Sequence, residues 1–338
     1  MTTSSTISMS TTKNSRWQIK SAYFAIWPAT FALFAISPFI ARGSISLGAL
    51  RSTLPFAAIL AIVSIGQTLI IQQRGLDLSI PGIVSISAIL VTKIPGGVDS
   101  KLPRALIIVL VIAALAGLLN GLVVTMFGVT PLVATLGVNA ILIGTILKIT
   151  SGAQTASASK GLVHFSAGRV FGVSNIIWVA IVVIGLVTFV VKSTVIGRRF
   201  VAIGTSAPAA RAAGMAVRRY QAMTYVIAAL FGALGGILLA GYLQTPGLSA
   251  GNDYLLPSIA AAVLGGTSLA GGGGSVLATA GGALFLTQLQ QVVFGAGAPA
   301  SVQLLIQSIA IALGMGLRRV PWKNLFGKLR SSQTVPAT

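Results

Sequence analysis

The sequence contains no cysteine, one histidine and only three acidic residues among its 338 positions. The lack of cysteine excludes disulfide bonds and thiolate metal sites. Because the apolar segments hold neither paired carboxylates nor a chain of histidines, the chain also lacks the usual groups for proton or sodium coupling. No catalytic or metal site is therefore predicted, and the chain is not expected to be an enzyme.

A nucleotide-binding motif is also missing, because no Gly-x-x-x-x-Gly-Lys-Ser/Thr phosphate loop occurs. If ATP is the energy source, another chain must bind ATP and Mg²⁺. This chain is accordingly expected to bind no cofactor of its own.

What the sequence does contain is mostly apolar: 55% of its residues are hydrophobic, 8% are charged, and 39 are glycine. This composition is typical of a polytopic membrane protein. The net charge of +20 is scattered over the ends of apolar stretches and does not form one basic face, so nucleic acid is not a predicted partner.

Ten apolar blocks are long enough to enter or cross a bilayer, and they predict an all-α polytopic membrane protein in which some segments are short or broken. With both termini in the cytoplasm, most of the 23 lysines and arginines lie on the cytoplasmic side, as the positive-inside rule requires. We therefore expect a multi-pass protein of the bacterial inner membrane, in contact with lipid. The blocks are 22–41, 54–72, 79–95, 104–127, 131–150, 176–192, 221–243, 255–270, 275–294 and 300–317.

Blocks 79–95 and 255–270 are short and have a proline near their start, so we expect broken or re-entrant helices that are covered by protein. The residues that lead into them, 75–81 and 251–257, share a Gly-x-Asp-x-x-x-Pro pattern. Because these blocks stand five apart and so run in opposite directions, the pattern predicts two inverted five-segment repeats. In chain order, the predicted parts are a cytoplasmic tail (1–20), a membrane domain (21–320) made of repeat one (about 22–150), an external link (151–175) and repeat two (about 176–317), and a second cytoplasmic tail (321–338).

Amide side chains within the apolar blocks are the candidates for a substrate pathway, because a buried amide needs a partner from protein or cavity water. Hydrogen bonding between helices is the alternative role. A pathway without fixed charge suits a neutral polar solute such as a sugar. The candidates are Gln67, Asn120, Asn139 and Gln288, and further amides in the blocks are Gln290, Gln291, Gln303 and Gln307.

Asp77 and Asp253 each precede a helix that has a proline near its start. A carboxylate in that position can accept backbone N–H bonds and meet the positive end of the helix dipole. The two residues are therefore candidate helix caps, or alternatively candidate gate or substrate-contact residues.

A polar central loop, residues 197–221, separates two long apolar blocks. Pro208 suits a first helical turn, residues 209–213 are helix formers, and Gly214 suits the left-handed position that ends a helix. A helix of about two turns does not persist alone in water. We therefore expect this basic, cytoplasmic loop to be stabilised by docking onto a partner.

These motifs together resemble the membrane subunits of ribose-permease-type ABC importers, which form part of the branched-chain amino acid/ribose class. Gly204, Ala209-Ala210-Arg211 and Gly214-Met215 are similar to the coupling loop of that family. Residues 75–79 resemble its Gly-Ile-Asp-Leu-Ser stretch, 131–137 its Pro-x-x-x-Thr-Leu-Gly stretch, and 264–275 its glycine-rich turn.

The resemblance implies an importer with two permease copies, here expected to be identical, two ATPase domains and an external solute-binding protein. It implies a monosaccharide cargo, such as ribose or a related sugar, although some members carry a signalling furanone or nucleosides. A stand-alone secondary transporter or facilitator of a polar solute is the alternative, and it needs no ATPase. The residues that the resemblance assigns to ATPase coupling are Gly204, Pro208, Ala209, Ala210, Arg211, Gly214 and Met215.

Overall fold

The computed structural model describes residues 23–153 and 157–299, together with 301–302, 304–306, 308–309 and 312. Two single-turn 3₁₀ helices, Asp99–Lys101 and Asn252–Tyr254, precede α4 and α11. The helices in chain order are α1 (Ile26–Ile40), α2 (Leu47–Gln72), α3 (Ile80–Lys93), α4 (Leu102–Thr125), α5 (Pro131–Thr150), α6 (Lys160–Ala167), α7 (Asn175–Ser193), α8 (Val195–Thr205), α9 (Ala207–Ala212), α10 (Val217–Leu243), α11 (Leu255–Leu264) and α12 (Val276–Gly295).

Local sequence signals explain where several helices begin. The Ser46 hydroxyl accepts a hydrogen bond from the Ala49 N–H before α2, and the Ser275 hydroxyl accepts one from the Ala278 N–H before α12. Each bond satisfies one of the backbone donors that a helix start leaves unpaired. Helices α3, α4 and α5 instead carry a proline in the first turn, where the missing N–H costs nothing.

The long helices and α11 follow the predicted apolar blocks, and the largest changes of boundary are in α2 and α11. Helix α2 begins at Leu47 rather than 54, because Ser46 caps it, and α11 ends at Leu264 rather than 270, because Gly265 and Gly266 follow, the latter at φ 98°. Block 300–317 lies largely outside the described residues, and both predicted tails lie wholly outside them. Within the described part, six helical segments are long and apolar enough to cross a membrane: Leu47–Gln72, Asp99–Thr125, Pro131–Thr150, Asn175–Ser193, Val217–Leu243 and Val276–Gly295.

Helix α2 lies at the centre of the bundle, where it packs on α10, α11 and α12. In its apolar stretch 89% of the residues are buried, against 17% in α7. Helix α10 also packs on α3 and α4, and a side chain at Gly117 or Gly121 of α4 would collide with its backbone. The exposed apolar side chains Val182, Leu186 and Phe189 place α7 at the periphery, as expected for a helix that faces lipid.

Helices α3 and α11 run in opposite directions. The turn that follows α11 reaches the end of α2, where the Gly272 N–H donates to the Gln72 carbonyl at 2.8 Å, and α3 departs from that same end after a short connection. With ten residues, α11 is about 15 Å long, half of a hydrocarbon core of about 30 Å. It is therefore a half-length helix. The superposition of the two halves of the chain stays a prediction.

The predicted external link contains α6 and a small β-hairpin, which the all-α expectation missed. Strand β1 (Arg169–Val170) pairs antiparallel with β2 (Val173–Ser174), in the register Arg169 to Ser174. Phe171 and Gly172 between them have φ values of 52° and 77°, the left-handed pair that closes a two-residue hairpin. Strands of two residues leave no alternating pattern that sequence analysis could detect.

Candidate functional site

The central loop is built from two short helices, α8 and α9, which meet at Ser206. The Ser206 N–H donates to the Ala202 carbonyl and closes α8, while the Ser206 hydroxyl accepts from the Ala209 N–H at 3.4 Å and opens α9. Pro208 occupies the first turn of α9. The short helix and its proline start agree with the sequence prediction.

A glycine stop ends α9 in the way the sequence predicted. Gly214 has φ 76°, and its N–H donates to the Arg211 carbonyl at 3.0 Å, while the Met215 N–H donates to the Ala210 carbonyl at 3.0 Å. This bond pair is a Schellman motif, which satisfies carbonyls that the helix end would otherwise leave unpaired. The loop therefore has a defined shape before any partner binds.

The coupling residues assigned from the family resemblance divide into an inner and an outer set. Ala210 is 5% exposed and packs with Ile203 and Val217, and Met215 is half-buried beside them. Gly204 is buried as well. These three hold the loop together, whereas the exposed members, which a partner can reach, are Pro208, Ala209, Arg211 and Gly214.

The C-terminal end of α8 is fixed to the end of α2, an arrangement that the sequence did not predict. Arg74 donates to the carbonyls of Gly204 at 3.3 Å and Thr205 at 2.7 Å. Gly204 packs so closely on the Gln72 carbonyl that it leaves no room for a Cβ atom. Gly272, in the turn before α12, bonds the same Gln72 carbonyl. We call Gln72, Arg74, Gly204, Thr205 and Gly272 the Arg74 junction, and it connects the central loop to α2, α3 and α12.

Asp77 lies next to this junction, in the connection that leads into α3. It is 1% exposed, and its Oδ1 accepts hydrogen bonds from the N–H of Ser79 at 2.8 Å and the hydroxyl of Ser79 at 2.5 Å. The Ser79 hydroxyl accepts in turn from Asn120 Nδ2 at 2.8 Å. Asp77 thus organises the approach to α3, and Asn120 joins α4 to it.

Helix α5 also supports the start of α3, through two side chains. Thr135 Oγ1 accepts from the Leu78 N–H at 2.9 Å, and Asn139 Oδ1 accepts from the Gly82 N–H at 2.8 Å. These bonds satisfy backbone donors that precede or begin the helix. The motif that contains Thr135 and the motif that contains Asp77 therefore meet at one place in the fold.

The structure does not bring the four candidate pathway amides together. Asn120 and Asn139 bond the start of α3, while Gln288 of α12 donates to Ser37 of α1 at 3.0 Å. Gln67 is buried in α2, and its amide has no hydrogen-bond partner among the described residues. Substrate contact by these four stays a prediction.

A cavity of about 840 Å³ lies in the half of the bundle opposite the central loop, between α2, α10, α11 and α12. We call it the Asp253 cavity, and its rim is exposed at Ser52, Leu243 and Phe294. Phe56 on its wall makes an edge-to-face contact with Tyr242, with ring centroids 5.2 Å apart. The polar and aromatic lining residues are Ser52, Thr53, Phe56, Asn252, Asp253, Tyr254, Thr287, Gln290, Gln291 and Phe294.

Among the described lining residues of this cavity, Asp253 supplies the single carboxylate. It is exposed and accepts no hydrogen bond from the described part of the chain, in contrast to Asp77. The Gly251 N–H donates to Ser85 in the second turn of α3, about 9 Å along that helix from Ser79. Asp253 therefore lies within the depth of the bundle, because α11 is only about 15 Å long and the turn that follows it reaches the end of α2.

A comparison with protein families matches residues 50–314 to the permease component of the branched-chain amino acid transport system. The chain is also similar to the autoinducer 2 import system permease protein LsrC of Escherichia coli, with 31% identity over 264 residues, which is 78% of this chain and 77% of that protein.

LsrC of Yersinia pseudotuberculosis is 30% identical over 264 residues, covering 78% of this chain and 75% of that protein. A probable ABC transporter permease of Sinorhizobium fredii, y4mJ, is 32% identical over 233 residues, covering 68% of this chain and 69% of that protein. No solved structure matches the chain.

Proposed function

Since this chain belongs to the family of branched-chain amino acid transport system permease components, we propose that it is the membrane subunit of an ATP-driven importer of a small neutral polar solute. Its place is the bacterial inner membrane, as a multi-pass protein. The proposed partners are a separate ATPase chain, an external solute-binding protein and a second copy of this chain.

The cargo proposal rests on the lining of the Asp253 cavity, which combines polar and aromatic side chains. Amides and hydroxyls can exchange hydrogen bonds with the hydroxyls of a sugar, aromatic faces can pack on its ring, and no cationic side chain is among the described lining residues. A volume of about 840 Å³ falls in the range of small-molecule sites. We propose a monosaccharide such as ribose or a related sugar as cargo, and the names of the LsrC relatives make autoinducer 2 the second candidate.

The outer surface of α9 supports the proposed ATPase contact. Ala209, Arg211 and Ala212 are exposed there, as is Ala213 directly after the helix, so a smooth surface of small side chains with one cation is available for docking. ATPase closure can shift the inward and outward populations only through contacts that differ between those states. The Arg74 junction supplies a direct route from α9 and α8 to the helices that enclose the cavity.

Uptake by proteoliposomes that contain the complex with its ATPase, with the solute-binding protein supplied on the substrate side, tests this function. We expect uptake of labelled sugar to require ATP, and the Ala209→Glu variant to lose both uptake and ATPase association, because it places a carboxylate in the docking surface. Ala167→Glu is the matched control, since Ala167 is an exposed helical alanine at the other end of the bundle. ATP-independent uptake that A209E leaves intact would establish a facilitator instead.

A further inference from the structure

A second cavity, of about 850 Å³, lies at the central-loop end of the bundle between α7, α8 and the turn that precedes α12. We call it the cationic cavity, because the exposed side chains of Arg74, Lys192 and Arg198 line it. None of the three acidic residues of the chain is among its lining residues. The cavity therefore carries uncompensated positive charge.

Groups without a net charge add to the attraction that this cavity has for an anion. Thr188 Oγ1, on the α7 wall, has no hydrogen-bond partner in the part of the chain that the structure describes. Ser275 and Val276, at the start of the 20-residue helix α12, line the same cavity, so the positive end of that helix dipole faces into it. Cations, a hydroxyl and a helix start together favour an anion with several acceptor oxygens.

Exposed apolar side chains lie beside the cationic cavity. Phe189 precedes Lys192 by one turn of α7, and Val195 and Ile196 follow it at the start of α8; these three side chains are 61%, 53% and 63% exposed. Helix α7 is the most exposed of the six long apolar segments. A basic pocket beside such a surface, at the end of a membrane helix, has the character of a site for lipid headgroups.

We propose that the cationic cavity binds the headgroup of an anionic phospholipid, with the phosphate at Lys192 and Arg198 and the acyl chains along α7. Arg74 contributes charge while it holds the carbonyls of Gly204 and Thr205. A bound lipid would thus stabilise the end of the bundle that anchors the central loop. This site is separate from the Asp253 cavity and does not depend on which solute is carried.

Native mass spectrometry of the delipidated full-length chain, titrated with phosphatidylglycerol or phosphatidylcholine, tests the proposal. A basic residue near an anionic lipid surface contributes a factor of roughly five in affinity. Lys192→Gln/Arg198→Gln should therefore weaken the first phosphatidylglycerol site by about 25-fold and leave phosphatidylcholine binding unchanged. The matched control is Lys101→Gln/Arg104→Gln, which removes the same charge from exposed positions at the other end of the bundle.

Each remaining outcome contradicts the proposal. If K192Q/R198Q bound phosphatidylglycerol as tightly as the unmodified chain, Lys192 and Arg198 would not be part of a lipid site. An equal loss in K101Q/R104Q would indicate a general charge effect. Inorganic phosphate that binds as tightly as the lipid would identify a site for the free anion and not for a lipid.

Discussion

Arg74 Nη2 donates a hydrogen bond to the carbonyl of Thr205 at 2.7 Å, across 131 positions of the sequence. This bond joins the connection between α2 and α3 to the last residue of α8. Arg74 makes it from a left-handed backbone conformation, φ 65°, which is uncommon for a residue with a side chain. The contact therefore depends both on the arginine side chain and on the left-handed backbone conformation of Arg74.

Substitution of Arg74 by Gln should uncouple the central loop from the cavity helices. Gln is too short to reach both carbonyls, and hydrogen bonds from a charged group contribute about 1.5–3 kcal/mol each. We expect ATP-dependent uptake to fall by about tenfold or more while the ATPase still associates, because the α9 surface is unchanged. Uptake and pull-down measured on the same preparations check this, with R104Q as the control; normal uptake in R74Q would show that the junction transmits nothing.

Gly204→Ala should destabilise the protein, because its Cβ would overlap the Gln72 carbonyl. Overpacking of a tight contact costs about 1–3 kcal/mol or more. Gly144→Ala in α5 is the control, since a Cβ there meets no neighbour and alanine favours a helix by about 1 kcal/mol. In thermal unfolding measured in detergent, the midpoint of G204A should be lower than that of the unmodified protein, and the midpoint of G144A should not be. Equal midpoints for the two variants would contradict the close packing.

Asp77→Asn should preserve both fold and uptake if Asp77 has a structural role. Burial raises the pKa of the Asp77 carboxyl, whereas the two bonds from Ser79 lower it, and Asn keeps an acceptor for those bonds without a buried charge. Asp77→Ala leaves the Ser79 N–H unpaired and should cost about 1–3 kcal/mol in the free energy of unfolding. A stable D77N protein that fails to transport would instead support the charged gate that the sequence allowed.

Asp253→Asn should weaken recognition of a polyhydroxylated solute at the Asp253 cavity. Hydrogen bonds to a charged acceptor contribute about 1.5–3 kcal/mol, so we expect the dissociation constant of the solute for the purified membrane complex, measured without the solute-binding protein, to rise about tenfold or more. Asp99→Asn is the control, because Asp99 accepts from the Gly161 N–H outside the cavity. An unchanged dissociation constant in D253N would falsify the assignment of this cavity to the solute.

The orientation of the chain is testable because the sequence lacks cysteine. Ala213 on the central loop and Ser157 beside α6 are both exposed. Single cysteines at these two positions should react with an impermeant thiol reagent from opposite sides, the first only after the cytoplasmic side is opened. Labelling of both in intact cells would overturn the predicted topology.

The sequence predicted best those features that depend on neighbouring residues. Pro208 and Gly214 mark the two ends of α9 because proline fixes a first turn and glycine accepts a left-handed stop. Most helices follow from the length of the apolar blocks. The start of α2 and the end of α11 differ from the blocks because Ser46 caps α2 and Gly265 follows α11.

Contacts between distant segments could not be predicted in the same way. In the sequence, Arg74 is one of the basic residues scattered over the ends of apolar stretches, and nothing in its neighbourhood points to Thr205. The positions of the amides relative to a cavity were harder to predict. Helix α2, for example, is apolar around its whole circumference and gives no sign of which face meets a cavity. Gln67 and Gln290 thus look alike in the sequence, although only Gln290 lies on the cavity wall.

The half-length of α11 also constrains how the protein is assembled during synthesis. A ten-residue helix cannot settle across the bilayer by itself, because lipid would leave the backbone at both of its ends without partners. It needs α2 and α3 already in place, and α12, which is translated after it. We therefore expect the segment from Gly251 to Gly274 to reach its final position only after α12 has been synthesised, and truncation before α12 should leave a chain that quality-control proteases degrade.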